Sequence, residues 1–309
     1  MYLFLLNKTM TRQNIIPHFG DPSDVTQYFP KYQIQLLCCR HWWLEKWEFK
    51  ELSFPYWRIY HNSSSGAVII YNGKEYHLAP NKVIMIPPNT SYATRLYNNK
   101  IPKAGCSLQG GRVNTNFSEE KEKLDQYILH LFIHFNIGIP YDTFQPGIFC
   151  FDLTDHLLEK LQMIKRHLNY ENTKFSFHIS LALQSLITDL LAELPEESWN
   201  ILSKNQRILN SLAYIERNID KDLSNSILAE EARMSTNAFI QLFSKETGMS
   251  PQKYIRQKRI NQACIILHHS NFSIDQVAYK TGFANRYHFS KIFKEISGFS
   301  PAQYKKVLA

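Results

Sequence analysis

Two stretches of this sequence share one pattern, and their likeness decides the fold of the C-terminal third. The first, Phe239–Tyr254, reads FIQLFSKETGMSPQKY, and the second, Phe289–Tyr304, reads FSKIFKEISGFSPAQY. They share two phenylalanines four residues apart, a glycine, a Ser-Pro step and a final tyrosine, at an offset of 50 residues. A repeat at fixed spacing indicates that one supersecondary unit is present twice.

Each copy is typical of a helix, a tight turn and a second helix. In the first copy, a short helix is predicted over Ile227–Arg233, with a turn at Met234-Ser235. Ser235 is a suitable N-cap for the helix that follows, and Gly248 suits the residue just after that helix. The core positions have the i, i+3, i+4 spacing of an amphipathic helix: Phe239, Leu242 and Phe243.

The second copy repeats this plan with one extra residue in its turn. Ser273 and Gln276 have the spacing of a capping box, Gly282 permits a sharp turn, and Asn285 can cap the second helix. Its core positions are again apolar at helical spacing: Ile274, Val277, Ala278, Phe289, Ile292 and Phe293.

A long helix is predicted between the copies, from Ser250-Pro251 to about His268. Serine suits the N-cap and proline the first helical position. About 18 residues at 1.5 Å each make a strut of roughly 27 Å. Successive turns of a DNA groove lie about 34 Å apart, so two reading helices on this strut could enter neighbouring major-groove segments, with some bending of the DNA.

Spaced motifs run through the whole of this region. They are Leu228-Ala229-x-x-Ala232-x-x-Ser235, Phe243, Gly248-x-Ser250-Pro251-x-x-Tyr254, Arg259-Ile260-x-x-Ala263, Ile266-Leu267, Ile274-x-x-Val277-Ala278-x-x-x-Gly282-Phe283, Phe289-x-x-x-Phe293-Lys294 and Gly298-x-Ser300-Pro301-x-x-Tyr304. With these motifs, residues 208–306 resemble the DNA-binding domain of the AraC family of bacterial transcription regulators. The resemblance implies double-stranded DNA as a partner. It also implies a structural role for Arg259, tying the long helix to one unit, with a phosphate contact as the alternative.

The face of each second helix opposite its core stripe is the predicted DNA contact. On the first reading helix these residues are Asn237, Ile240, Gln241 and Ser244. On the second they are Arg286, Tyr287, Ser290, Lys291 and Lys294. The resemblance implies base and phosphate contacts at these positions. Amides suit adenine and Ile240 suits a thymine methyl, whereas the cations suit phosphates. The alternative is an ordinary solvated face.

The charge distribution agrees with a polyanion-binding C-terminal region. The formal net charge is +8; residues 201–309 hold 16 Lys and Arg against 8 Asp and Glu, whereas residues 1–200 hold 19 of each. The whole excess therefore lies in the C-terminal third. A basic region attached to a neutral one favours nucleic-acid binding over a merely solvated basic surface.

The first half is predicted to be a small β-barrel. Short runs over Gly66–Ile70, Lys74–Leu78 and Val83–Ile86 are separated by Asn72-Gly73 and Pro80-Asn81 turns. Leu129–Phe135 alternates, with His130, Phe132 and His134 on one face. The expected class is α+β, with a cupin-like barrel at about residues 1–150 and an all-α C-terminal domain of two helix-turn-helix units joined by a long helix.

Leucines at helical spacing predict a helical hairpin over about residues 153–194. It either packs within the chain or pairs two chains, and we favour a homodimer. The expected domains are a sensor and dimerisation domain at 1–195, a linker at 196–204 and a DNA-binding domain at 205–309.

The barrel and hairpin resemble, more weakly, the sensor half of AraC-type regulators, chiefly over Arg58–Pro88. The resemblance implies a small-molecule effector. Candidate lining residues are aromatic or polar: Arg58, Tyr60, Tyr71, Tyr76, His130 and His134. His61 and His77 are poorly spaced for a metal-binding cupin, so no metal, cofactor or catalytic residue is predicted. Sugar, aromatic acid and no ligand remain open alternatives.

Five cysteines without a CxxC pair argue against a disulfide framework or a zinc motif. Buried thiols are the expected role, with a redox role for Cys38-Cys39 as the alternative. No apolar run approaches the roughly 18 residues of a membrane span, and no signal peptide is evident. A cytoplasmic protein, associated with the nucleoid when bound to DNA, is expected.

The sequence therefore predicts an effector-controlled transcription regulator without enzymatic activity. RNA polymerase is a further candidate partner. One alternative is a constitutive regulator whose N-terminal domain only dimerises. Another is an alkyl-transfer repair factor with an appended DNA-binding domain, although Cys38-Cys39 lacks the additional cysteines such chemistry needs.

Overall fold

Antiparallel strands make up the N-terminal half of the fold. The computed structural model describes residues 32–103, 106–113, 127–138, 141–168, 174–199 and 205–308. Within these residues there are nine strands: β1 (Gln35–Leu52), β2 (Trp57–Asn62), β3 (Ala67–Tyr71), β4 (Lys74–His77), β5 (Lys82–Ile86), β6 (Tyr92–Leu96), β7 (Cys106–Arg112), β8 (Ile128–Asn136) and β9 (Phe149–Asp152). The predicted strands over 66–70, 74–78, 83–86 and 129–135 all lie within one residue or two of these bounds.

The strands form one sheet that curls into a nearly closed barrel, in the order β4-β3-β6-β1-β8-β2-β5-β9, with β7 also paired to β1. The long strand β1 pairs with β8 through its first half and with β7 and β6 through its second half. Its register shifts between Leu36 and Cys38, immediately before the Cys38 pairing with His134. A bulge of this kind bends a strand and redirects side chains.

All of β2 and most of β5 and β8 are buried on both faces, including the polar Arg58, His61 and Asn62 of β2. In β2, Trp57 and Ile59 pack outward against the helical hairpin, whereas Tyr60 belongs to the barrel interior. In β8, Ile133 and Phe135 likewise face the hairpin. The alternation places the side chains of one face in the barrel cavity and those of the other in a second core.

The hairpin consists of α1 (Asp155–Arg166) and α2 (Phe177–Ala192), capped by the Thr154 and Ser176 side chains. The predicted break at 169–174 lies mostly outside the described residues, as do residues 200–204 of the predicted linker. Residues Glu196–Ser198 form one 3-10 turn. Trp199 follows and packs edge-on against Phe144, with 4.7 Å between the ring centroids.

The remaining described helices form the C-terminal region: α3 (Gln206–Arg217), α4 (Asn225–Glu231), α5 (Thr236–Thr247), α6 (Pro251–His269), α7 (Ile274–Lys280), α8 (Arg286–Ser297) and α9 (Pro301–Leu308). The predicted α+β class, with two helix-turn-helix units joined by a long helix, is confirmed. No helix in the described part of the chain combines the length and apolar character that crossing a bilayer requires.

The predicted capping residues take their expected roles with one exception. Ser235 accepts from the Ala238 amide, Asn285 accepts from the His288 amide, and Ser273 with Gln276 forms the capping box. Ser250 occupies the N-cap position of α6, but its side chain makes no capping hydrogen bond. Proline at the next position supplies the helical backbone angle and needs no hydrogen-bond acceptor for its nitrogen.

The two helix-turn-helix units have different cores. The first unit, α4 with α5, packs around Phe239 and Phe243 in a cluster of its own that includes α3. The second unit, α7 with α8, packs around Phe289 and Phe293 in a cluster that is continuous with the barrel interior. The connecting helix α6 contributes to both clusters.

Candidate nucleic-acid interface and ligand cavity

The predicted DNA face of α5 is accessible. Asn237 and Gln241 are exposed, and Ile240 and Ser244 are half-buried. Phe239 and Phe243, on the opposite face, are fully buried. Amphipathicity alone therefore places the four predicted residues on the outer side of the first unit.

The predicted DNA face of α8 is accessible as well, and it is basic. Tyr287 is 86% exposed, Lys291 and Lys294 are exposed, and Ser290 is half-buried. Arg286 is exposed and donates to the Asp275 carboxylate at 3.1 Å. An exposed ion pair of this kind contributes little to stability, so a phosphate can replace the carboxylate at small cost.

A groove between α7 and α8 lies beside this basic face. Its volume is about 630 Å³. Tyr279 and Tyr287 line it and are 81% and 86% exposed. Sequence reasoning missed Tyr279, although a large aromatic residue outside the core stripe of α7 was a visible signal. Tyrosine hydroxyls are suitable donors to phosphate oxygens.

Arg259 holds the connecting helix to both units. Its guanidinium donates to the carbonyl oxygens of Ile219 at 3.0 Å, Gly282 at 2.7 Å and Lys221 at 2.6 Å. Two of these acceptors precede α4 and the third lies in the turn between α7 and α8. The structural role predicted for Arg259 is therefore present in the structure.

Inside the barrel lies a small aromatic cavity of about 90 Å³. Its walls are mostly aromatic and apolar, with one arginine and three histidines: Arg40, Trp42, Leu44, Trp47, Phe49, Leu52, Phe54, Tyr60, Leu108, His130, Phe132, His134 and His268. His130 is held by a 2.7 Å hydrogen bond to Asn62. Burial lowers the pKa of His130 to about 3, which keeps this ring neutral.

Three of the six residues predicted for the effector pocket line this cavity, namely Tyr60, His130 and His134. Tyr71 and Tyr76 do not line it. The Tyr71 hydroxyl donates to the Pro146 carbonyl at 3.2 Å, and the Tyr76 ring stacks under the Lys74 ammonium. Both tyrosines lie on the β3–β4 hairpin at the end of the sheet order, a position that spacing alone could not reveal.

Arg58, the remaining predicted residue, is fully buried behind the cavity wall. It donates to the Tyr92 hydroxyl and stacks on the Phe54 ring, with 4.5 Å between the guanidinium carbon and the ring centroid. Its Nε and Nη2 atoms are buried without a hydrogen-bond partner in the described structure. An unsatisfied buried guanidinium is costly, and an anion is its natural partner.

The connecting helix ends in the mouth of the barrel, a feature that the sequence did not predict. The His268 Nδ1 atom and the Tyr56 hydroxyl share a hydrogen bond of 2.5 Å, and the His268 ring lines the cavity. His269 stacks on His268, with 4.5 Å between the ring centroids, and both rings lie edge-on to His134. Burial lowers the pKa of His268 well below its usual value and that of His269 to about 4.

A cysteine adjoins the histidine rings at this junction. The Cys38 sulfur, one nitrogen of His134 and one nitrogen of His269 lie within 4.8 Å of one another. Sequence reasoning predicted no metal ligands, because these residues come from β1, β8 and α6 and form no local motif. Only the bulge in β1 and the position of the end of α6 bring them together.

The hairpin exposes apolar side chains at one end of α2. Phe177 is 79% exposed and Leu181 is 46% exposed, one helical turn apart. Leu158 of α1 is 37% exposed. The other leucines of the stripe pack in the core. The homodimer stays a prediction, and its interface would have to involve the exposed Phe177, Leu181 and Leu158.

The C-terminal region is similar to the helix-turn-helix domains of known transcriptional regulators. A family model described as a helix-turn-helix domain matches residues 228–306. An HTH-type transcriptional regulator of Haemophilus influenzae is 26% identical over 268 residues, which cover 80% of this chain and 86% of that protein. The transcriptional activator RhaS of Salmonella schwarzengrund is 29% identical over 105 residues, covering 34% of this chain and 38% of RhaS.

The fold of the whole chain also has a counterpart among solved structures. A crystal structure of ToxT from Vibrio cholerae O395 superposes with a TM-score of 0.50 at 12% identity, over 91% of this chain and 100% of ToxT. Together with the repeated motifs and the two helix-turn-helix units, the sequence relatives identify this protein as a DNA-binding transcription regulator. Residues 228–306 form an AraC-type helix-turn-helix region, the kind found in these bacterial transcription regulators.

Proposed function

We propose that this regulator is controlled by an effector that enters the barrel cavity and competes with the end of α6 for the barrel mouth. The observation that carries the proposal is the position of His268. This residue belongs to the helix that joins the two reading units, yet its ring lines the barrel cavity. Occupation of the cavity and the position of the reading units are thereby coupled.

An apolar or aromatic carboxylic acid is the effector class that suits the cavity. Arg40 lines the cavity, and Arg58 behind it has two buried nitrogen atoms without partners. Most other walls are apolar or aromatic, and such surfaces with a few polar groups bind small organic ligands. The ToxT structure holds such an acid, (E)-4-(8-methylnaphthalen-1-yl)but-3-enoic acid; for this chain the class rests on its own arginines and aromatic walls.

The size of the cavity supports competition rather than simple filling. At about 90 Å³ it is smaller than the roughly 300–1,000 Å³ of common ligand sites. A larger effector must displace a wall, and His268 is the wall that belongs to the DNA-binding region. An effector that binds the displaced state better shifts the population toward it.

On the DNA side, we propose that α5 discriminates sequence and α8 supplies affinity. The α5 face offers amides and Ile240 but no cation, whereas the α8 face offers Arg286, Lys291 and Lys294. Hydrogen bonds to base edges specify sequence, and cations on phosphates add salt-dependent affinity. A homodimer formed through the hairpin and a contact with RNA polymerase complete the proposal.

Genome-wide mapping of bound sites supplies the operator for a direct test. Fluorescence anisotropy then measures operator affinity with and without aromatic and fatty carboxylic acids, and thermal melting measures their binding. A binding acid at 100 times its Kd stabilises the native state by about 2.7 kcal/mol. We expect it to change operator affinity, and Arg40→Gln to weaken the acid's binding, whereas Arg95→Gln on the outer surface leaves that binding unchanged.

The variant His268→Ala tests whether the His268 ring competes with the effector for the barrel mouth. If the ring competes with the effector, its removal tightens effector binding, because less must be displaced. If no acid raises the melting temperature of either protein, the barrel does not bind this class. A constitutive regulator whose N-terminal domain only dimerises would then be the better description.

A further inference from the structure

We propose that Cys38, His134 and His269 form a binding site for a zinc-class transition-metal ion, which fastens the connecting helix to the barrel. One thiol and two imidazoles are the ligand set that zinc and its soft-to-borderline neighbours prefer. The three ligand atoms lie within 4.8 Å of one another. Around a tetrahedral zinc ion they would be about 3.4–3.6 Å apart, so small side-chain rotations complete the site.

Three imidazole nitrogens at this site are buried and lack hydrogen-bond partners in the described structure. His134 is 3% exposed, and its Nδ1 atom has no hydrogen-bond partner in the described structure. Both ring nitrogens of His269 are also buried without a partner. Buried polar atoms are nearly always satisfied, so three orphaned imidazole nitrogens beside a thiol indicate a missing ligand.

The chemical state of the ligands is compatible with a metal ion. Burial holds both imidazoles neutral, and the neutral ring is the form that coordinates metals. Cys38 is protonated when the site is empty, because burial raises its pKa to about 12. As the metal–sulfur bond forms, the thiol proton passes to solvent, and the resulting thiolate offsets one positive charge of the ion.

Arg40 sets a limit on the charge of the complete site. Its positive charge acts on Cys38, His134 and His269. It favours the thiolate but opposes a dication, so the fourth ligand is expected to be an anion such as hydroxide or chloride. Because this fourth ligand is not a protein side chain, it can exchange with solvent.

Metal binding would change the freedom of the reading units. Cys38 and His134 are cross-strand neighbours in the barrel, whereas His269 is the last residue of α6. An ion shared by these residues joins the two parts directly. Metal binding is independent of the effector proposal; only its consequence for DNA binding rests on the proposed control through the barrel mouth.

The test uses the untagged full-length chain, stripped with a chelator and kept reduced. Cobalt(II) serves as the spectroscopic probe, because a thiolate–cobalt bond gives a charge-transfer band and tetrahedral cobalt gives d–d bands. Zinc affinity is measured by competition with a chromophoric chelator. We expect one ion per chain, a thiolate band with cobalt, and displacement of cobalt by zinc.

Matched variants identify the ligands. Cys38→Ser and His269→Gln should each weaken zinc binding by more than the roughly 10–100-fold that loss of an outer-shell partner costs. Cys39→Ser, at the neighbouring thiol, and His77→Gln, at an exposed histidine, should leave it unchanged. Circular dichroism of each variant confirms that the fold is intact, and His269, at a helix end, is the substitution that least disturbs the barrel.

Two results would overturn the proposal. One is a folded wild-type chain that binds neither cobalt nor zinc at micromolar concentration. The other is zinc binding that survives both Cys38→Ser and His269→Gln. If zinc binds as expected but operator affinity is the same with and without it, the site is supported, whereas its regulatory consequence fails and the effector proposal is left to its own test.

Discussion

Gly282 lies at a point where three parts of the chain meet. Its φ of +76° is in the left-handed region, and a Cβ atom there would lie 2.7 Å from the Arg259 guanidinium and 2.7 Å from the Ile219 carbonyl oxygen. Gly248 has a similar φ of +75°, but a Cβ atom there would meet nothing within 4 Å. The two glycines separate backbone strain from steric conflict.

We expect Gly282→Ala to lower the free energy of unfolding more than Gly248→Ala does. Both variants incur the left-handed backbone cost of about 1–2 kcal/mol. Gly282→Ala also pushes Arg259 away from its carbonyl partners, and a hydrogen bond to a charged group contributes about 1.5–3 kcal/mol. Urea denaturation of both variants measures the difference. Equal losses would show that Arg259 can move aside freely.

At the scale of helices, the α5 and α8 faces differ in chemistry and should differ in their effect on DNA binding. Lys291→Ala should weaken binding to all sequences and reduce the slope of log affinity against log salt by about 1. Gln241→Ala should reduce the free-energy difference between binding the correct and the wrong base by about 1–3 kcal/mol. The salt slope should stay unchanged. Anisotropy titrations at several salt concentrations measure both quantities. If Lys291→Ala changes neither affinity nor slope, the assignment of α8 to phosphates is wrong.

The helices were also the elements that sequence reasoning predicted best. Caps such as Ser235 and Asn285 and the Phe239 and Phe289 stripes act within one or two turns, so local spacing contains their structure. Strand β1 was not identified, because buried and exposed residues follow no regular order along it and its aromatic residues show no simple alternation. The strands bounded by Asn72-Gly73 were identified because a turn marks their ends.

At the scale of the whole molecule, the contacts between the connecting helix and the barrel, on which the proposed control depends, could not be predicted. His268 and His269 look like ordinary helix-terminal histidines, which suit the negative end of a helix dipole. Their contact with Tyr56 and His134 depends on how α6 lies against the barrel. Tyr60, His130 and His134 line the cavity, whereas Tyr71 and Tyr76 pack against the barrel core on the β3–β4 hairpin and do not line it. Their roles in effector binding stay predictions.

A cluster of three buried bases, Lys165, His61 and His41, lies between the hairpin and the barrel. It should make the free energy of unfolding depend on pH. Lys165 of α1 donates to His61 at 3.0 Å, and burial lowers the pKa of His61 to about 4 and that of His41 to about 3. Burial also lowers the pKa of Lys165 to about 8. All three groups are bases whose charged forms are disfavoured in the folded chain.

Because these histidine pKa values are depressed on folding, the unfolded chain binds more protons between about pH 6.5 and pH 4. The stability they contribute is complete above pH 6.5 and is lost as pH falls toward 4, at up to about 1.4 kcal/mol per pH unit for each histidine. Thermal melting at pH 7.5 and pH 5 should therefore show a lower midpoint in acid. His61→Gln should reduce that difference, whereas His77→Gln, at an exposed histidine, should not; an unchanged difference in His61→Gln would rule out this role.

The two helix-turn-helix units pack in different cores, and this difference affects the order in which they engage an operator. The first unit packs with α3 in a cluster of its own, whereas the second shares its apolar interior with the barrel. The first unit can therefore adjust to a duplex while the second is still held. Recognition would then proceed in two stages, with a complex in which only the first unit is engaged as its intermediate. Under the proposed control, the concentration of free effector would set the lifetime of that intermediate.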